Sequence, residues 1–200
     1  GIISDVLDFS KIENESIELK YQPVNMAMFL SEFDSIYSEL STKRDIDYSS
    51  NSKDLAIFDY SIDKQKLTQV LNNLIGNALK FTKPKGSINV NIIPTDNNLS
   101  FEITDTGIGI KADEIDKIFT PFQQASTSDY IKYIGTGLGL AISKNFIEAM
   151  GGEITVTSRE NQGSKFSFSI DSKRVVKNID SKTILNTSIC LLYTSPSPRD

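Results

Sequence analysis

The stretch that decides the fold is QVLNNLIGNALKFT, residues 69–82, which lies in a predicted helix from Asp63 to Phe81. Its polar residues Asn73, Asn77 and Lys80 recur at i, i+4 and i+7, and so form a stripe beside the apolar face. Amide oxygens suit Mg²⁺, and a lysine suits the phosphates that accompany it. Such a stripe lines either solvent or a cleft, and taken alone a solvated helix face is the more common explanation. The apolar face comprises Leu67, Val70, Leu71, Leu74, Ile75, Ala78 and Phe81.

A second motif, DTGIGI at residues 105–110, directly follows a predicted strand. The ionised carboxylate of Asp105 only accepts hydrogen bonds, so it can receive the exocyclic amine of adenine and reject a guanine carbonyl there. Gly107 and Gly109 permit a positive φ and a close approach of the backbone to a planar ligand. For this motif alone, an ordinary Asp/Gly turn is a serious alternative.

Two further motifs flank a polar loop. GTGLGL, residues 135–140, opens a predicted helix, where glycines expose backbone N–H groups to an anion such as phosphate. Its spacing matches neither the dinucleotide-binding G-x-G-x-x-G nor the P-loop, and a mobile glycine loop is the alternative. FTPF, residues 119–122, could anchor a lid formed by residues 123–134, although its aromatic residues could also belong to the core.

Hydrophobic periodicity and turn signals place the remaining elements. Strands and helices are mixed along the chain, which predicts an α+β fold with helices packed on one face of a mixed sheet. The predicted helices cover the start of the chain, residues 26–43, 113–119 and 141–150; the predicted strands cover 17–21, 46–48, 55–58, 87–93, 99–104, 153–158 and 165–170; and a linker covers 172–188.

Composition excludes several classes of function. The 200 residues contain no histidine, which rules out a Ser-His-Asp triad, a His-ligated zinc and a histidine base within them. The single cysteine, Cys190, excludes an internal disulfide and fits a reducing compartment such as the cytoplasm. A formal charge of −5 argues against nucleic-acid binding, and no apolar run is long enough to span a membrane.

In this order and spacing, the four motifs resemble the N, G1, F and G2 boxes of the catalytic ATP-binding domain of sensor histidine kinases. That domain belongs to the GHKL superfamily, whose Bergerat fold is a two-layer α/β sandwich. GGEITVTSRENQGSKFSFSI, residues 151–170, resembles the closing strand pair of that domain. DVLDFSKIE, residues 5–13, resembles the end of the helical dimerisation hairpin that precedes it.

The resemblance implies three segments. Residues 1–15 correspond to the truncated end of the dimerisation and phosphoacceptor hairpin, and residues 16–172 to the catalytic domain. Residues 173–200 are expected to be a linker and tail. The final CLLYTSPSPRD, residues 190–200, is either a disordered tail or a non-native end that resembles translated adapter sequence.

The resemblance also implies a site for ATP and Mg²⁺, in which Asn77 coordinates the metal, Asp105 holds the adenine amine and Phe81 packs on the adenine ring. Two departures from the family pattern affect the lid: Ile134 stands where a glycine is usual, and Ile131 stands where a basic residue is frequent. The nucleotide-contacting residues implied by the resemblance are Asn73, Asn77, Lys80, Phe81, Asp105, Gly107, Gly109, Phe122, Lys132, Gly135, Thr136, Gly137, Leu138, Gly139 and Ser164.

The implied activity is transfer of the γ-phosphoryl group of ATP to a histidine on the dimerisation domain of a homodimer, which then serves a response-regulator receiver domain. Related ATPases carry a glutamate where this chain has Asn73, and an amide cannot act as a base for hydrolysis near pH 7. A nucleotide-binding regulatory module without kinase activity is the alternative from another class. The motifs DFSKIE and FTPF disfavour a third candidate, a serine kinase of the anti-sigma type. The catalytic domain is expected in the cytoplasm, whether or not the parent protein is membrane-anchored.

Overall fold

The structure is a computed structural model that describes residues 6, 9–10, 17–51, 55, 58–95, 97–123 and 136–175. Within these residues, strands and helices are mixed along the chain, as the sequence predicts. In chain order the elements are β1 (Gln22–Asn25), α1 (Met26–Thr42), β2 (Asp47–Asn51), β3 (Asp59–Ile62), α2 (Lys64–Phe81), β4 (Ser87–Pro94), β5 (Asn98–Asp105), a 3₁₀ turn (Ile115–Lys117), α3 (Gly139–Ala149), β6 (Ile154–Arg159), β7 (Gly163–Asp171) and β8 (Lys173–Val175).

The larger sheet has five strands in the order β2-β4-β5-β7-β6. β2 and β4 are parallel, while the other neighbouring strands run antiparallel, so the sheet is mixed. Alternate residues of the central strands are buried, and Phe101 and Phe168 stack with ring centroids 4.5 Å apart on that buried face. The helices contribute most of the remaining core residues, which confirms the predicted α+β sandwich with helices over one face of a mixed sheet.

A smaller antiparallel sheet, in the order β1-β3-β8, leads into the N-terminus of α2. The side chain of Asp63 caps that helix by accepting a hydrogen bond from the Lys66 N–H at 3.0 Å. Its other oxygen accepts from the Lys20 N–H at 2.8 Å, and only 3% of Asp63 is exposed. One buried carboxylate therefore fixes both the start of α2 and the segment that enters the domain.

Three helix predictions and five strand predictions are confirmed within a few residues, as α1, α2, α3, β2 and β4–β7. The strand predicted over residues 17–21 was wrong, because the ladder with β3 begins only at Gln22. The strand predicted over 55–58 lies instead at Asp59–Ile62. In both places the alternating pattern was displaced by a few residues from the strand that forms.

Two further differences concern the acidic segment and the end of the domain. The helix predicted over residues 113–119 forms only a 3₁₀ turn at Ile115–Lys117, since so short a segment does not sustain an α-helix by itself. The linker predicted from residue 172 was also wrong in its first residues. Lys173–Val175 form β8, which pairs with β3 and extends the smaller sheet.

The structure describes only a few of the residues for which the sequence made predictions at the two ends of the chain. Val6, Phe9 and Ser10 are helical, as predicted for the start of the chain, while the rest of residues 1–16 lie outside the described residues. Residues 176–200, including the expected tail at 190–200, also lie outside them. Among the helices that the structure describes, none has the length and apolar character needed to cross a membrane.

We predict that Asp63→Ala lowers the free energy of unfolding by about 1–2 kcal/mol, because it removes the helix cap and leaves the Lys20 N–H without its acceptor. Urea unfolding monitored by circular dichroism measures the change. Asp63→Asn is the matched control, since its one amide oxygen retains an acceptor, and we expect it to lose less. Equal stability of the alanine variant and the wild type would contradict this role.

Candidate functional site

The turn after β5 packs directly on the C-terminal end of α2. The Ile108 N–H donates to the Phe81 carbonyl oxygen at 3.2 Å. A Cβ atom at position 107 would lie 2.6 Å from the same oxygen, which is closer than a side-chain carbon can approach. Glycine at this position therefore lets the turn that carries Asp105 sit beside the helix that carries Asn77.

Asp105 is a buried carboxylate at this junction, with 7% of its surface exposed. Its Oδ1 atom accepts a hydrogen bond from the Gly107 N–H at 2.8 Å. Burial raises the pKa of Asp105, and backbone hydrogen bonds from Gly107 and Ser164 oppose that rise. Ser164 lies directly opposite Asp105 in the β5–β7 ladder, which explains why it reaches the carboxylate.

The polar stripe of α2 faces helix α3 rather than open solvent. The Asn73 Nδ2 atom donates to the Ser143 hydroxyl of α3 at 3.0 Å, and the Asn77 Nδ2 atom points to Asn73 Oδ1 at 3.5 Å. All three stripe residues, Lys80 included, are half-buried. The contact with α3 shows that Asn73 does not lie on a fully solvated face; that the stripe lines a nucleotide cleft stays a prediction.

Lys80 and Phe81 lie at the end of α2, nearest the Asp105 turn. The Lys80 Nζ atom sits 4.9 Å from the centroid of the Phe81 ring, and both side chains are half-buried. Burial lowers the pKa of Lys80. A cation and an aromatic face are thus presented together at the junction between helix and turn.

The glycine motif before α3 is joined to the motif at residues 119–122. The Phe122 N–H donates to the Gly137 carbonyl at 3.1 Å, and both residues have a positive φ, of 62° and 70°. The Thr136 hydroxyl accepts from the Leu138 N–H at 3.3 Å, and Leu138 is fully buried. Buried Leu138 anchors the start of α3, so the glycines on either side of it stay at the edge of the site.

Phe122 itself is 64% exposed, and the ring of Phe9 meets its ring edge-on with centroids 5.6 Å apart. The sequence predicted Phe122 as an anchor for a lid or as a core residue. Its exposure excludes the core alternative. The aromatic contact instead joins the helical segment at the start of the chain to the edge of the site.

Gly109 has a positive φ of 66°, as the sequence permits, and both glycines of this turn lie close to other backbone segments; their expected approach to a ligand stays a prediction. Gly107 and Gly109 were expected to let the backbone approach a planar ligand. The atoms nearest to a Cβ at position 109 are those of the Arg159 carbonyl group, at 1.9 and 2.7 Å, so this close approach is to the β6–β7 hairpin. The Asn161 N–H also donates to the Ile108 carbonyl at 2.6 Å, which fastens the hairpin to the turn.

A cavity of about 380 Å³ lies on the hairpin side of this turn. It includes Ile110 but none of the stripe residues of α2. Beside it, the Ser158 hydroxyl accepts from the Ile110 N–H at 2.8 Å and lies 2.9 Å from the Ser164 hydroxyl. The residues that line the cavity are Ile110, Lys111, Ala112, Asp113, Ser158, Arg159 and Glu160.

Two participating residues carried no sequence signal of their own. Ser143 contacts Asn73 from α3, where a single serine within an apolar helix pattern does not indicate a site residue. Ser158 contacts the turn from β6, whose alternating pattern is typical of any strand with one buried face. Two predicted site residues, Lys132 and Gly135, lie outside the described residues, as do Ile131 and Ile134. Their predicted contacts with the nucleotide stay predictions.

The donor set limits the kind of metal that this site can hold. Among the described residues there is no cluster of three or more His, Cys, Asp or Glu side chains. Because the Asn77 Nδ2 atom is turned toward Asn73, the Oδ1 atom of the same amide lies on the opposite side. A single neutral oxygen fits Mg²⁺, which keeps several waters and takes phosphate oxygens as its other ligands.

Comparisons with known proteins show which family the chain resembles. Residues 62–174 match the family described as histidine kinase-, DNA gyrase B- and HSP90-like ATPase. The aerobic respiration control sensor protein ArcB of Escherichia coli K12 is 35% identical over 182 residues, which cover 90% of this chain and 23% of ArcB. The chain spans 20–24% of the length of the curated relatives that it matches.

Two solved structures are also similar. Full-length ShkA in complex with AMPPNP superposes with a TM-score of 0.75 at 29% identity, over 88% of this chain and 36% of ShkA. Histidine kinase ThkA in complex with response regulator protein TrrA superposes with a TM-score of 0.65 at 26% identity, over 85% of this chain and 46% of that chain.

Asp105→Asn tests the electrostatics of the site without any ligand. Because the folded state raises the pKa of Asp105, it favours the protonated carboxyl, and ionisation lowers stability as pH rises above the ordinary value of about 4. The unfolding free energy of the wild type, relative to Asp105→Asn, is therefore expected to fall as the pH rises from about 4 toward neutral. Urea titrations of both proteins across this range measure it. If the unfolding free energy of the wild type instead rose with pH relative to Asp105→Asn, the folded state would favour the ionised carboxylate, and the account would be contradicted.

Proposed function

Because this chain belongs to the histidine kinase-, DNA gyrase B- and HSP90-like ATPase family, we propose that it binds ATP with Mg²⁺ and donates the γ-phosphoryl group to a histidine of its dimerisation domain. One observation carries the proposal. The turn of Asp105 packs on the Phe81 carbonyl at the C-terminal end of α2, one helical turn beyond Asn77, which supports a base site and a metal site next to each other.

Each residue then has a role that follows from its chemistry. Asp105 accepts the exocyclic amine of adenine, and Phe81 offers an aromatic face for the ring. Asn77 holds Mg²⁺ through its amide oxygen, and Lys80 places a positive charge near the phosphates. The bound Mg²⁺ supplies charge neutralisation for the phosphate oxygens during transfer.

The start of α3 supplies the second half of the phosphate site. Gly137 and Gly139 flank buried Leu138 at this helix end, where backbone N–H groups and the helix dipole favour an anion. Since Asn73 of α2 contacts Ser143 of α3, this end stays close to the metal-binding amide. Lys132 and Gly135 are proposed to close the same site from the lid side.

Transfer is favoured over hydrolysis because the chain lacks a base at the relevant position. Asn73 occupies the position where related ATPases carry a glutamate. Activation of water needs a proton acceptor, whereas the Asn73 Nδ2 atom donates a hydrogen bond to Ser143. Phosphoryl transfer requires mainly positioning and charge stabilisation, which the amides, Lys80 and Mg²⁺ provide.

The acceptor must come from outside the 200 residues, since they contain no histidine. We assign residues 1–15 to the end of the dimerisation hairpin, and the Phe9–Phe122 contact supports a hairpin lying beside the site. The catalytic domain is proposed to run from residue 16 through β8. A homodimeric parent protein, in the cytoplasm or anchored to a membrane, would present the histidine.

A response-regulator receiver domain is the proposed next acceptor. The similarity to ThkA, solved in complex with response regulator protein TrrA, supports this partner. Because the chain spans 23% of ArcB, recognition of the signal and of the cognate regulator is assigned to parts of the parent protein outside these 200 residues.

Base selectivity tests the binding part of the proposal. We expect ATP to bind about tenfold or more tightly than GTP, since Asp105 matches an amine and repels a carbonyl. Asp105→Asn should lose most of the affinity for ATP, as measured by calorimetry in the presence of Mg²⁺. Ser41→Ala, a buried serine of α1, serves as the control variant. ATP affinity unchanged in Asp105→Asn would refute the base site.

Phosphotransfer tests the catalytic part. The chain is mixed with a cognate dimerisation hairpin that carries its histidine and with γ-³²P-ATP. We expect label on the hairpin, and we expect Asn77→Ala to abolish it because the metal ligand is removed. Tight ATP binding without label on the hairpin would favour the alternative, a nucleotide-binding regulatory module without kinase activity.

A further inference from the structure

We propose that β6 is an edge-to-edge contact site for a second copy of this chain. β6 (Ile154–Arg159) is an outer strand of the five-stranded sheet, and among the described residues it pairs only with β7. Its other edge therefore presents backbone N–H and C=O groups that another strand can bind. The contact uses none of the residues assigned to the nucleotide, so the inference goes beyond the proposed function and does not depend on it.

The hydrogen-bond pattern with β7 shows which backbone groups face this open edge. The Ser169 N–H donates to the Glu153 carbonyl at 3.2 Å, so these two residues form a hydrogen-bonded pair. Hydrogen-bonded and non-hydrogen-bonded pairs alternate along an antiparallel ladder, so every second residue after Glu153 also bonds to β7. The residues between them direct their N–H and C=O groups to the open edge: Ile154, Val156 and Ser158.

β6 lacks the features that commonly prevent an edge strand from pairing. Such strands are usually protected by charged residues, prolines or bulges. From Ile154 to Ser158, β6 contains no charged residue, no proline and no glycine. Thr155 and Thr157 are exposed, and Val156 between them is half-buried. This edge is therefore free to accept another strand.

The side chains of β6 are complementary to themselves in one antiparallel register. When Val156 lies opposite Val156 of the second copy on a twofold axis, Glu153 lies opposite Arg159 of the second copy. Thr155 then lies opposite Thr157 of the second copy. Opposite charges and threonine pairs both stabilise facing strands, and the twofold axis forms each of these pairs twice.

The backbone fits the same register. The residues that face the open edge become the hydrogen-bonded pairs, Val156 with Val156 and Ile154 with Ser158. Glu153 and Arg159 then belong to a non-hydrogen-bonded pair, in which the side chains approach more closely. The neighbouring registers that keep this backbone pattern no longer place Glu153 opposite Arg159. Side chains and backbone thus select one arrangement of the two copies.

Charge identifies a second copy as the occupant of this edge. Glu153 and Arg159 are both exposed, and neither takes part in an ion pair among the described residues. They lie at the two ends of the strand, where a copy rotated by the twofold axis brings the opposite charge to each. β2, at the other edge of the sheet, has Asp47 and no cation, so a self-pair there would gain no ion pair.

The expected complex is a weak symmetric dimer in which the two five-stranded sheets join at β6. Because one strand per chain makes the contact, the buried area is small, and we expect a dissociation constant on the order of 100 µM. Sedimentation equilibrium of the 200-residue chain between about 10 µM and about 1 mM measures it. The wild type should form dimers within this range.

Two charge reversals test the register. Glu153→Arg and Arg159→Glu should each weaken the dimer by about tenfold or more, because each places like charges opposite one another at both ends of the contact. In a mixed pair of the two variants, each end again holds one acid and one base. An equimolar mixture should therefore associate within about twofold of the wild type, although neither variant does so alone.

Val156→Pro tests the backbone part of the contact. The Val156 N–H points away from β7, so proline at this position removes a donor of the open edge and leaves the β6–β7 ladder in place. We expect loss of the dimer with an unchanged circular dichroism spectrum. Lys43→Glu is the matched control for the charge reversals, because Lys43 lies exposed at the end of α1, which packs on β2 at the other edge. It should associate as the wild type does.

Several results would overturn the assignment. A wild-type chain that stays monomeric up to about 1 mM would remove the contact itself. Dimers that persist in Glu153→Arg, Arg159→Glu or a folded Val156→Pro would show that the chains associate elsewhere. A mixture of the two charge reversals that associates no better than either variant alone would exclude this register.

Discussion

The site depends on a backbone contact between the Gly107 turn and the last residue of α2. The Phe81 carbonyl accepts from the Ile108 N–H at 3.2 Å, and the missing Cβ of Gly107 allows that distance. Any larger residue there would push the turn away from the helix. The carboxylate of Asp105 and the amides of the α2 stripe would then no longer belong to one site.

A second junction, between α2 and α3, also depends on a glycine that allows a close approach. The Asn73 amide fits against the bare Cα of Gly139 and donates to Ser143, so the two helices are joined by polar contacts at the edge of an apolar core. At both junctions, the missing side chain of a glycine, Gly107 or Gly139, leaves room for the neighbouring group. The positions of Asp105 and of the proposed metal ligand thus follow from how closely the backbones approach one another, and the large sheet lies behind them.

Much of this was predictable from the sequence. The apolar period of α2 and the alternation in β4–β7 predicted elements that form within a few residues of their expected limits, because burial on one face imposes those periods. The order of the motifs also suggested that Asn77 and Asp105 share one site, and this grouping stays a prediction. Long-range contacts left no such signal: β8 forms through pairing with β3, and Ser143 contacts Asn73 only because α3 packs beside α2. For Gly109, the sequence indicated a close approach but not that its partner is the Arg159 carbonyl.

A crystal structure of this chain with AMPPNP and Mg²⁺ is the most direct test of the central claim. The account predicts the Asn77 Oδ1 atom on the metal at about 2.1 Å and a carboxylate oxygen of Asp105 within about 3 Å of the adenine amine. One nucleotide would then span the junction at Phe81. A nucleotide bound elsewhere, or one that contacts neither Asn77 nor Asp105, would contradict it.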